Sequence, residues 1–65
     1  MKIKYFEDTD TLYIELSDHE VSETKELNEN LYIDLDADGR VVSFTIEHAK
    51  ATSGKFDFSY ETVAA

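Results

Sequence analysis

The stretch LYIDLDADGRVVSFTI, residues 31–46, decides how the rest of the chain is read. Leu31, Ile33 and Leu35 alternate with Tyr32 and Asp34 before an Asp38-Gly39 pair, and Val42, Phe44 and Ile46 alternate with Ser43 and Thr45 after it. Alternation with a period of two places one set of side chains on each face of a strand. Asp-Gly between two such runs is the strongest short-range signal for a β-hairpin. A two-residue loop at Asp38-Gly39 would pair Leu35 with Val42, Ile33 with Phe44 and Leu31 with Ile46, so that one face is wholly apolar. Tyr32–Thr45 and Asp34–Ser43 would fall on the other face. A type I turn over 36–39 followed by a bulge suits the same residues, but it shifts the register by one and sets Ile33 against Ser43. A four-residue loop keeps the apolar face.

The same residues supply the candidate for metal chemistry. Asp34, Asp36 and Asp38, followed by Gly39, stand at positions one, three, five and six of a calcium-binding loop. Position twelve, where a bidentate Glu belongs, is Thr45. Carboxylates at i and i+2 on a strand also spread along one face instead of wrapping an ion. The expectation is a solvated acidic face ending in a turn, with a calcium-responsive loop as the alternative.

Outward from the hairpin, residues 2–6 and 12–17 form two further strands around a four-residue turn, Glu7-Asp8-Thr9-Asp10. That loop pairs Tyr5 with Leu12, Ile3 with Ile14, Lys4 with Tyr13 and Lys2 with Glu15. A loop of odd length would mix the faces. Residues 21–27 alternate poorly and are strongly polar, which suits an edge strand protected by charge. Asn28-Glu29-Asn30 then reads as a three-residue turn, with Asn30 in the left-handed conformation. A helical turn is expected near 48–53, before Gly54. Beyond it Phe56, Phe58 and Tyr60 alternate with polar residues, as in a strand that covers the sheet's own core or docks on another chain.

The expected architecture is therefore mainly β, bordering on α+β. It is one small domain over 1–65, an antiparallel meander of four to five strands built from hairpins. The sheet core spans 1–52, and a strand-like aromatic tail spans 53–65. Its apolar face comprises Ile3, Tyr5, Leu12, Ile14, Leu16, Leu31, Ile33, Leu35, Val42, Phe44 and Ile46.

Bulk properties limit the function. A chain of 65 residues buries only about 60% of its unfolded surface, and such domains lean on disulfides, metals or oligomerisation. There is no Cys, so disulfides are excluded and a reducing compartment fits. The formal charge of −9 repels phosphate backbones and anionic membranes, so neither nucleic acid nor membrane is an expected partner. Acidity of this degree also serves simply to keep a small protein in solution. The opening MKIKYF has no apolar core of a signal peptide, and no apolar run approaches a membrane span, so a cytoplasmic location is expected.

Catalysis finds little footing. No Ser has a Gly-x-Ser-x-Gly context, and there is no Gly-rich phosphate loop. His48 stands apart in the sequence. Asp18-His19-Glu20 are neighbours that point to opposite faces of an extended chain, so they cannot easily share an ion. No enzyme and no cofactor are expected.

Taken together, MKIKYFEDTDTLYIELSD and VSETKELNENLYIDLDADGRVVSFTIEHA resemble domain-of-unknown-function family 2283. The resemblance rests on the Lys-Ile-x-Tyr opening, the Thr-Leu-Tyr-Ile strand and the Asp-x-Asp-Gly-Arg-Val-Val hairpin. It covers roughly residues 1–52 and leaves out the tail. It implies a small β-rich bacterial protein without assigned activity, in an interaction or antitoxin-like role, and supplies no catalytic residues. Phe6 departs from the family pattern, in which a small turn-starting acid is usual; that touches only the first turn's geometry. The expected function is non-enzymatic protein–protein interaction, by self-association or with a basic partner. Phe56, Phe58 and Tyr60 are the candidate anchors, and a small enzyme is the third reading.

Overall fold

The computed structural model describes residues 1–64; Ala65, the last residue of the expected tail, lies outside the described residues. The chain forms β1 (Lys2–Phe6), β2 (Thr11–Glu15), β3 (Glu23–Asn28), β4 (Leu31–Leu35), β5 (Val41–Glu47) and a short helix α1 (Ala49–Ser53). The strands make one antiparallel sheet in the order β1-β2-β5-β4-β3. The mainly-β antiparallel architecture and its hairpins are as expected, but the order is not the sequential one of a simple meander. β5, VVSFTIE, takes the centre, and β3, ETKELN, takes the edge. The physical reason is composition. A central strand has both edges paired and its apolar face surrounded, which suits Val42, Phe44 and Ile46. β3 is exposed along its whole length and carries Glu23, Lys25 and Glu26, so next to β2 it would set charge against Leu12 and Ile14.

The first hairpin has the expected register, with Tyr5 opposite Leu12, Ile3 opposite Ile14 and Lys2 opposite Glu15. In the β4–β5 hairpin, Ile33 opposite Phe44 and Leu31 opposite Ile46 also stand as expected. The turn itself follows the bulged alternative and not the two-residue loop. The Gly39 N–H donates to the Asp36 carbonyl at 3.0 Å, the Asp36 N–H donates to the Arg40 carbonyl at 2.9 Å, and Gly39 has φ +82. This is a bulged turn, and alone it would slip the strands by one residue. A second irregularity, between Asp34 and Leu35, sets Leu35 opposite Val41 and leaves Val42 as the extra residue, which restores the apolar register.

Four smaller expectations are corrected. The β3–β4 turn has two residues, Glu29 and Asn30, with an irregularity between Glu26 and Asn28. Asn30 is not left-handed; among the described residues the non-Gly positions with positive φ are Asp10 and His48, both at +54. Residues 55–64 contain no strand, because they lie over the sheet instead of along an edge where a ladder could form. Leu16, placed in the apolar face by its alternation, is 47% exposed. β2 ends at Glu15, and the backbone N–H groups of Leu16 and Ser17 both turn to the Val42 carbonyl as the chain leaves for β3.

The protein is a slab, 33 × 32 × 19 Å, with a radius of gyration of 13.0 Å. A compact chain of this length has about 10.7 Å. Among the described residues, only Leu12, Val42 and Ala49 are buried hydrophobic residues; Ile3, Ile14, Leu31, Ile33, Leu35, Phe44 and Ile46 are half-buried. No helix among the described residues is long and apolar enough to cross a membrane.

Candidate functional site

The cross-strand registers assemble two apolar rows on one face of the sheet. One runs Tyr5–Leu12–Ile46–Leu31, and the other runs Ile3–Ile14–Phe44–Ile33. They stop at β3, where Lys25 stands opposite Ile33 and Glu23 opposite Leu35. Lys25 Nζ and Glu23 Oε1 lie 3.8 Å apart, so the charges that rim this face partly neutralise each other. The middle of the face carries no charge.

The cover is partial. Phe56 packs edge-on against Tyr5 with ring centroids 5.0 Å apart, and Lys50 Nζ lies 5.4 Å from the Tyr5 ring centre. Phe58 sits 5.6 Å from Phe56 and, with Ser59 and Tyr60, lines an open groove of about 390 Å3 against Met1, Ile3 and Ile14. Phe56 is half-buried, Phe58 is 49% exposed and Tyr60 is 82% exposed. The tail thus leans on the β1–β2 side, and the three expected anchors differ sharply in how much they touch.

The opposite face is polar. Asp34 there accepts hydrogen bonds from Ser43 Oγ and Thr24 Oγ1 across both neighbouring strands, each at 2.6 Å. Tyr32, opposite Glu26, has its phenol pushed above its ordinary pKa by Glu47 first and Glu26 second.

Two carboxylates clasp the ends of the sheet. At one end Asp36, almost fully buried, accepts the backbone N–H groups of Asp38 and Arg40 at 2.9 Å each through Oδ1. Its Oδ2 lies 3.1 Å from His19 Nδ1 and 3.4 Å from Arg40 Nε. The contact with His19 ties the β2–β3 crossover to the hairpin it passes. The Arg40 backbone N–H is the main reason the Asp36 carboxyl is held below the usual carboxylate range, with His19 and Asp38 adding to it against the opposing effect of burial. At the other end Asp10 accepts the N–H groups of Lys50 at 2.8 Å and Ala51 at 3.1 Å, and the Tyr5 hydroxyl at 2.7 Å. The Lys50 N–H, followed by Tyr5, lowers the Asp10 carboxyl. The same hydrogen bond to Asp10 is the first cause that raises the Tyr5 phenol. Asn30 holds the other flank. Its carbonyl accepts the Glu47 N–H at 2.8 Å, and its Oδ1 lies 3.0 Å from His48 Nδ1.

Asp34, Asp36 and Asp38 are therefore not brought together. Asp34 is engaged on the polar face, Asp36 is enclosed by the turn it organises, and Asp38 is exposed and paired with Arg40 Nη2 at 2.6 Å. Among the described residues no group of three or more His, Asp or Glu is arranged to hold a metal ion. The roles of Asp10, Asn30 and His48 had no signal in the sequence, since Asp10 meets α1 across 40 positions of chain. The exception is Asp36, where an Asp two residues before another turn former hints at a side chain that caps its own turn.

Residues 2–50 match a family model described as Protein of unknown function (DUF2283). No curated protein and no solved structure matches the chain.

Proposed function

Given that the chain belongs to the family described as Protein of unknown function (DUF2283), we propose that it is a non-catalytic interaction module that pairs with a second copy of itself through the apolar sheet face. The observation that carries this reading is the half-open face itself. A sheet with one apolar face needs a second layer, and among the described residues a short helix and a ten-residue stretch of tail supply part of one. The described chain exposes 5130 Å2, against about 4,200 Å2 for a folded monomer of its mass. The surplus of roughly 900 Å2, part of it the extended tail, is comparable with the ~800 Å2 that each partner gives to a standard interface. Two such faces stacked as sheets sit ~10 Å apart and interdigitate without desolvating a central charge.

The charge of −9 separates this reading from the runner-up, a basic protein partner favoured by the carboxylates around Tyr32. Two copies repel each other through their surfaces, so screening by salt tightens a self-pair. A basic partner is attracted, so salt loosens that complex. Sedimentation equilibrium at low and high NaCl tests the proposal. A monomer–dimer equilibrium that tightens with salt, and that Ile33→Asp abolishes, is the expected result. A monomer at every concentration and salt level refutes it.

A further inference from the structure

We infer that residues 55–64 act as a strap that competes with the second copy for the apolar face, an inference that rests on the self-pairing reading above. The strap is aimed by Gly54, whose φ of 77 and ψ of −120 lie in a region open only to glycine, and which sends the chain back toward the sheet at the end of α1. Its grip is aromatic. Phe56 meets Tyr5, Phe58 meets Phe56, and Lys50 Nζ stands 6.0 Å from the Phe56 ring. Among the described residues, no backbone hydrogen bond holds 55–64 to the sheet. The groove between Phe58, Tyr60 and the side chains of Met1, Ile3 and Ile14 shows that the strap does not fill its seat. The family match covers residues 2–50, which hold the whole sheet and leave the strap outside.

These features describe a cover that is seated but easily lifted. It packs on Tyr5 and overhangs Ile3 and Ile14 across the groove, three members of the two rows that a second copy would bury. Pairing of whole faces then requires each copy to release its own strap. Apparent affinity is reduced by the fraction of molecules that are open, and the penalty enters once per copy. Loosening each strap about tenfold therefore tightens the dimer by roughly 10-fold to 100-fold.

The test uses the 65-residue chain with Phe56→Ser and Phe58→Ser combined, and Val63→Ser as the control at a solvent-exposed position outside the groove. Dimer dissociation constants come from sedimentation equilibrium. Tightening by about tenfold or more in the double variant, with Val63→Ser unchanged, is expected. A dimer of equal or weaker affinity in the double variant overturns the strap and leaves self-pairing standing. Absence of a dimer in wild type and double variant alike overturns both. A wild-type measurement guards against misfolding of the variant. Nuclear Overhauser contacts between the Tyr5 and Phe56 rings should be present in dilute protein and fade as the dimer forms, and their persistence in the dimer overturns the strap.

Discussion

Leu12 is the residue on which the sheet's thin core most depends. It is 5% exposed, lies between Tyr5 on β1 and Ile46 on β5, and is one of three buried hydrophobic residues among those described. Leu12→Ala removes most of a side chain from a place where two strands on either side hold the gap open. Substitutions of this kind cost about 3 kcal/mol, through lost transfer energy and the cavity left behind. A domain of 65 residues has a total stability of only about 3–10 kcal/mol, so the loss is a large share of it. In a domain this small each kcal/mol is worth about 4–8 °C, so the midpoint should fall by about 12–24 °C. Leu27→Ala makes the comparison. Leu27 is 55% exposed, beside the irregularity in edge strand β3, and its truncation should cost less than about 0.5 kcal/mol. Circular dichroism melts and urea titrations at one fixed protein concentration give both numbers, the concentration being held because dimerisation shifts the midpoint. If the two variants lose equal stability, or Leu12→Ala loses less than about 1 kcal/mol, the assignment of the core to this row is wrong.

Asp10 and Asp36 both have carboxyl groups lowered from the ordinary value of 3.8 in the folded chain. Their stabilisation is therefore complete above that value and is lost as the pH falls below it and through their lowered values. Urea midpoints should drop below about pH 4, and Asp10→Asn and Asp36→Asn should each flatten that acid limb; profiles parallel to wild type would contradict both clasps. A calcium titration followed by NMR should leave the amide signals of Asp34, Asp36 and Asp38 without a common saturable shift, because each carboxylate is already engaged by donors of the protein itself. A shared saturating response of the three would restore the calcium loop.

Much of the sheet was legible in the residues themselves. The registers Tyr5–Leu12 and Ile33–Phe44 follow from alternation and from the rule that one slipped residue turns every side chain over. The Asp38-Gly39 signal located the turn correctly and left its geometry open between a simple loop and a bulged turn. The bulged turn and a second bulge at Val42 offset each other, so Ile33–Phe44 and Leu31–Ile46 pair as in the simpler loop, while Leu35 meets Val41 and not Val42. The tail misled for a related reason. Phe56, Phe58 and Tyr60 have a strand's period, but a strand also needs a neighbour with free backbone groups, and the tail lies over a face. The calcium spacing, weighed as the alternative, assembles no cluster among the described residues, because equal intervals along a chain do not bring carboxylates together once the turn and the neighbouring strands engage them.

The sequence by itself determined the hairpins, the identity of the apolar face and the charged edge strand. These depend on neighbours a few residues apart and on a period of two, and both are written locally. Only the tertiary structure decided that β5 lies between β2 and β4, that Asp10 holds α1, that Asp36 holds the β2–β3 crossover, and that the apolar face stays half open. Each of these joins segments far apart in the chain. Strand order is a choice among free edges that offer the same backbone hydrogen bonds, so the choice falls to the burial of whole strands against one another, which no local window contains.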